Sequence, residues 1–96
     1  MPAMRFVVRW PDGAEEACYS PSTVITQYLY AGSTYAMADF IDQCEAGLLK
    51  ASDRVKEVYG YHCSSAMDQL ASLKRRAGEF SGEHSNSVTV VSIAPA

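Results

Sequence analysis

Between Met37 and Val58 the apolar residues recur in steps of four and three: Met37, Ile41, Cys44, Leu48, Ala51, Val55 and Val58, with Phe40 thickening the stripe. That period is the signature of one buried helix face. It predicts a single long helix from about Tyr35 to Tyr59, ended by Gly60, the residue best suited to the left-handed conformation that closes a helix. Acidic Asp39, Asp42 and Glu45 come early and Lys50, Arg54 and Lys56 late, which suits the helix dipole. Gly47 sits inside the helix beside the stripe. A glycine there costs about 1 kcal/mol relative to alanine, so its presence implies that another segment approaches closely.

The segments on either side supply the rest of a small fold. From Met4 to Trp10 the chain alternates, with Met4, Phe6, Val8 and Trp10 on one face and Arg5, Val7 and Arg9 on the other, as in a strand with one buried face. Pro11-Asp12-Gly13 then spells a type I turn with a bulge, closing a hairpin onto Ala14 to Tyr19. If Trp10 pairs with Ala14, Arg9 faces Glu15, Val7 faces Ala17 and Phe6 faces Cys18, and the first of these is a cross-strand ion pair. Ser20 as cap with Pro21 in the first helical position predicts a short helix through Val24 to Tyr30, broken at Ala31-Gly32-Ser33. Ser64 or Ser65 caps a further helix, with Asp68 completing a capping box. Its buried stripe is Ala66, Met67, Leu70, Leu73 and Ala77, and Gly78 is its stop. Glu79 to Ser87 is a polar loop, and the β-branched run Val88 to Ile93 reads as a third strand. The order β-β-α-α-α-β predicts an α+β fold in which a small antiparallel sheet packs against helices on one face.

Ninety-six residues, 48% hydrophobic and 20% charged, fit one soluble domain spanning residues 1–96. Cys18, Cys44 and Cys63 are odd in number and lack CxxC spacing, so a disulfide framework is not expected and a reducing cytoplasm is the natural setting. The first residues lack the apolar stretch of a signal peptide, and no apolar run approaches the roughly 20 residues of a membrane span. A formal net charge of −3 gives no general attraction to nucleic acid or acidic membranes.

Chemistry concentrates in Tyr59-Gly60-Tyr61-His62-Cys63-Ser64-Ser65. A cysteine just before a helix lies among unpaired amides that can stabilise a thiolate, which makes Cys63 the one candidate nucleophile, with His62 beside it. The competing reading, and the favoured one, is a small buried hydrophobe beneath the helix start. His62, His84 and the scattered cysteines show no metal-ligand pairing, and neither a metal nor a cofactor is expected. Lys74-Arg75-Arg76 could meet a phosphate, but a solvated helix C-terminus accounts for it more simply. Arg5 and Arg9 lie on the opposite strand face from Trp10, so stacking and phosphate neutralisation would fall on different surfaces, which argues against nucleic acid. Tyr28, Tyr30, Tyr35, Tyr59 and Tyr61 fall near helix ends. They read first as a half-buried rim around the core and second as a ligand or subunit contact, with Tyr35, Tyr59, Tyr61, His62 and Ser64 as the candidates. A three-stranded sheet leaves open edges, so a homodimer or a complex with another protein is expected.

Several blocks occur together in a recognisable order: Met4-Arg5-Phe6, Arg9-Trp10-Pro11-Asp12-Gly13, Cys18-Tyr19-Ser20-Pro21-Ser22, Ala51-Ser52-Asp53-Arg54-Val55, Tyr59-Gly60, and Cys63-Ser64-Ser65-Ala66-Met67-Asp68-Gln69-Leu70. In this the chain resembles a family of short bacterial proteins named for a nitrogen-starvation response, over nearly all of the sequence before residue 79. The resemblance implies a setting beside a nitrilase, an acetyltransferase, a radical-SAM protein and a flavoprotein, in the use of nitrile or cyanide nitrogen. It implies no catalytic residue. The expectation is therefore an accessory or binding protein of that pathway, with a small thiol-dependent enzyme or carrier using Cys63 as the alternative.

Overall fold

The computed structural model describes residues 3–60, 64–80 and 86–96. Strands β1 (Met4–Arg9) and β2 (Glu15–Ser20) form the N-terminal hairpin in the expected register, with Arg9 opposite Glu15, Val7 opposite Ala17 and Phe6 opposite Cys18. The turn closes as its residues dictate. Gly13 takes φ 88°, its N–H donates to the Trp10 carbonyl at 2.9 Å, and Asp12 Oδ1 accepts from the Ala14 N–H at 3.0 Å. The Arg9–Glu15 pair forms at 2.7 Å on the exposed face, where it adds little to stability.

After the hairpin the structure departs from the first of the three expected helices. Ser20 does not cap; its buried hydroxyl donates to the Ser22 carbonyl at 2.8 Å and braces the end of β2. Ser22 is the cap instead, accepting from the Val24 N–H, and the helix that follows is a single 3-10 piece, Thr23–Gln27. Four β-branched residues in sequence, Thr23, Val24, Ile25 and Thr26, disfavour a longer α-helix. A further strand then appears that the periodicity does not reveal. β3 (Thr34–Ala36) takes Tyr35 out of the predicted helix, and α1 runs from Met37 to Tyr59. Three residues are too few to show alternation; their partner is β4 (Ser87–Pro95), with Tyr35 opposite Val88 and the Thr34 and Thr89 hydroxyls 2.9 Å apart.

The sheet is therefore four-stranded and antiparallel, in the order β2-β1-β4-β3, with β4 extending past both ends of the expected Val88–Ile93 run. Val91 is the extra residue of a bulge, since Val7 faces Ser92 while Val8 faces Val90. Helices α1 and α2 (Ser64–Gly78) cover one face. Ser64 and Ser65 are the first residues of α2, so neither is the cap that the sequence suggests. The α+β class stands, and the described residues hold two α-helices and a 3-10 piece in place of three helices. No helix among the described residues is long and apolar enough to cross a membrane.

The core joins the inward face of the sheet (Phe6, Val8, Val88, Val90) to Phe40, Cys44 and Leu48 of α1 and Leu70 and Leu73 of α2. The α1 stripe holds only as far as Val55. Val58 is 51% exposed, because the last residues of the helix, Lys56 to Tyr59, all lie in solvent. Met37 and Ile41 are partly buried at the other end. Gly60 closes the helix with φ 83° as expected. Gly47 has the close neighbour its position implied: a Cβ there would lie 2.6 Å from Ile25 Cδ1 and 3.3 Å from the Tyr28 ring. The 3-10 helix thus leans on α1 at the one residue without a side chain. Gly47→Val is expected to cost about 1–3 kcal/mol by overpacking against Ile25, itself fully buried. Urea denaturation measures it, and a loss below half that lower bound would mean the two elements do not press together there.

Candidate functional site

Of the residues singled out for their chemistry, Tyr35 and Tyr59 do not come together. Tyr35 lies just before α1 and Tyr59 is its last residue, and a 23-residue helix places them about 33 Å apart. The Tyr35 hydroxyl is part of the fold: it accepts the Tyr30 N–H at 3.0 Å. Tyr59 is 54% exposed, and Ser64 is exposed at the start of α2. Tyr61, His62, Cys63 and His84 lie outside the described residues.

The two described cysteines are core residues. Cys18, at 2% exposure, sits on the inner face of β2, and Cys44, fully buried, sits in the stripe of α1. Burial pushes the Cys18 thiol up to about 12, with the Glu16 carboxylate adding to the rise. Burial raises the Cys44 thiol further, with Cys18 nearby contributing. Both are held as neutral thiols. Among the described residues no group of three His, Cys, Asp or Glu is placed to hold a metal ion.

Arg76 shows how the basic cluster at the end of α2 is used. Its guanidinium binds Asp12 at 2.7 Å and Glu79 at 2.9 Å and lies over the rings of Phe80 and Trp10, 5.0 and 5.7 Å from their centroids. Hydrogen bonds from the Ala14 N–H and then Arg76 hold the Asp12 carboxyl below its usual range. Lys74 pairs with Glu45 of α1 at 3.3 Å. Two cations of the cluster therefore tie α2 to the hairpin turn and to α1. Trp10, beneath Arg76, is 2% exposed and offers no surface for a base to stack on.

Two grooves remain. The first, about 470 Å³, lies where the 3-10 helix and α1 diverge beyond Gly47, lined by Ser22, Thr23 and Gln27 on one wall and Lys50, Asp53, Arg54 and Glu57 on the other. Its charges offset one another, and Arg54 and Glu57 pair at 3.2 Å.

The second, about 490 Å³, runs where β2 lies beside α2, lined by Glu16, Tyr19, Ser65, Asp68, Gln69 and Ser72. Its wall is an open sheet edge, because among the described residues β2 has a neighbouring strand on one side only. The Trp10 N–H donates to the Ala14 carbonyl, and this sets the phase of the ladder: Glu16 and Cys18 bond inward to β1, while Glu15, Ala17 and Tyr19 turn their N–H and C=O groups outward. At Tyr19 the outward N–H is met by a side chain, Gln69 Oε1, at 2.9 Å. Of the carboxylates here, Glu16 accepts the Trp10 indole N–H at 3.1 Å, and Asp68 is exposed with no ion pair among the described residues. In the sequence, Ser65 and Asp68 stand out only as helix-start signals. Nothing local joins Tyr19 to Gln69, which is 50 residues away.

The family model for the nitrogen starvation-induced protein NitG matches the chain over residues 5–93. No curated protein and no solved structure matches it.

Proposed function

Since the chain belongs to the NitG family of nitrogen starvation-induced proteins, we propose that it is a non-catalytic accessory protein of that response, holding a partner from nitrile assimilation in the cytoplasm. The observation that carries this reading is the groove between β2 and α2, where backbone groups of an open strand edge and the exposed carboxylate of Asp68 face solvent together. Such an arrangement suits the binding of a partner segment. Chemistry at Cys18 or Cys44 would need a thiolate, and burial opposes it at both.

The test separates this reading from a thiol enzyme or carrier. In a strain lacking the gene and supplied with a nitrile as its nitrogen source, Cys63→Ser is expected to restore growth as the wild-type gene does. Asp68→Lys, on an exposed face of α2, is expected to fold normally by circular dichroism and to restore growth poorly. Loss of growth with Cys63→Ser, alongside full growth with Asp68→Lys, would reject the accessory role.

A further inference from the structure

We propose that the groove between β2 and α2 takes an extended, lysine- or arginine-bearing segment of a partner protein, which adds to the edge of β2 as a fifth strand. This deepens the accessory reading by naming the kind of partner.

Three features of the groove converge on that occupant. The first is the backbone. Glu15, Ala17 and Tyr19 present outward hydrogen-bonding groups at every second residue, a spacing of about 6.8 Å that matches the repeat of an extended chain. A rigid small molecule does not match that row, whereas a peptide backbone matches all of it. The second is Gln69. Its amide oxygen occupies the place at the Tyr19 N–H that the carbonyl of an added strand would take, so at this position the edge is met by a side chain rather than by backbone. The third is charge. Glu16 and Asp68 are the charged residues that line the groove, so a cationic segment is drawn in and an acidic one repelled.

Charge also decides against a second copy of this chain. Pairing β2 with its own copy would set the Glu16 and Asp68 carboxylates of one chain against those of the other, with no cation among the groove's lining residues. Like charges so placed oppose pairing, and a basic segment reverses the sign.

The probe is a short synthetic peptide alternating threonine and lysine, compared with its threonine–glutamate counterpart and followed by amide resonances of the full-length labelled protein. The lysine peptide is expected to move the amides of Glu15, Ala17, Tyr19 and Gln69 and to slow exchange of the Ala17 N–H. The glutamate peptide is expected to bind roughly tenfold more weakly or not at all. Asp68→Lys should weaken the lysine peptide by a similar factor. Gln69→Ala, which removes the internal competitor, should leave binding equal or tighter. Ala17→Pro should abolish binding, because it deletes an outward N–H that the β1 ladder does not use; Pro is tolerated on such an edge. Three results would overturn the proposal: equal binding of the two peptides, shifts elsewhere with β2 unmoved, or β2 shifts that track protein concentration alone and so indicate a second copy. Should the lysine peptide fail while Asp68→Lys still impairs growth, the occupant is wrong and the accessory role stands.

Discussion

Trp10→Ala is expected to remove about 3–5 kcal/mol of stability, a large share of the roughly 5–15 kcal/mol that holds a domain of ordinary stability together. The size follows from how many elements meet at that ring. Trp10 closes the hairpin, lies edge-on to Phe40 of α1 at 5.8 Å, and stacks on Phe80, just beyond α2, at 6.1 Å. Arg76 covers it from outside while bridging Asp12 and Glu79. Truncation therefore opens a cavity at the junction of the sheet and both helices, and it strips Glu16 of the indole N–H it accepts. Trp10→Phe keeps most of the ring and loses the hydrogen bond, so its cost should be nearer 1 kcal/mol. Urea melts at unchanged slope measure both. A loss under 1 kcal/mol for the alanine variant would mean that the ring is not the joint of the fold.

How much of this could be read in the residues depends on the range over which each signal acts. The hairpin register was legible because Pro11-Asp12-Gly13 constrains the turn and period-two alternation does the rest, all within a few residues. The long helix was legible for the same reason, and Gly47 correctly announced a close neighbour, although nothing local named it as Ile25. The stripe misled at Val58, where periodicity continues but the core beneath has ended. β3 was hidden because its pairing to β4 spans more than fifty residues and its own length is three. The groove was hidden likewise. Tyr19, Asp68 and Gln69 are unremarkable until the sheet edge and α2 lie side by side, and only the hydrogen-bond phase tells which backbone groups of β2 face outward.

The described cysteines give the second large effect. At neutral pH, iodoacetamide is expected to label Cys18 and Cys44 at least about a thousandfold more slowly in the native protein than in the unfolded chain. The thiolate is the reacting form, and burial carries the Cys18 thiol from its ordinary value near 9 up to about 12 and the Cys44 thiol higher. At Cys18 alone that rise removes roughly a thousandfold of the thiolate, before occlusion by the core is counted. Labelling should therefore follow global opening, speeding with urea in step with unfolding. Stability should carry the same signature. Both folded thiols titrate above their unfolded values, so their contribution is fully present below roughly pH 8.5. It is lost as the pH rises toward the folded value, because the unfolded chain sheds its thiol protons first. Replacing each cysteine by serine in turn assigns the rates. Native labelling of Cys18 or Cys44 at the unfolded rate, with no dependence on urea, would show that these thiols are not part of the core.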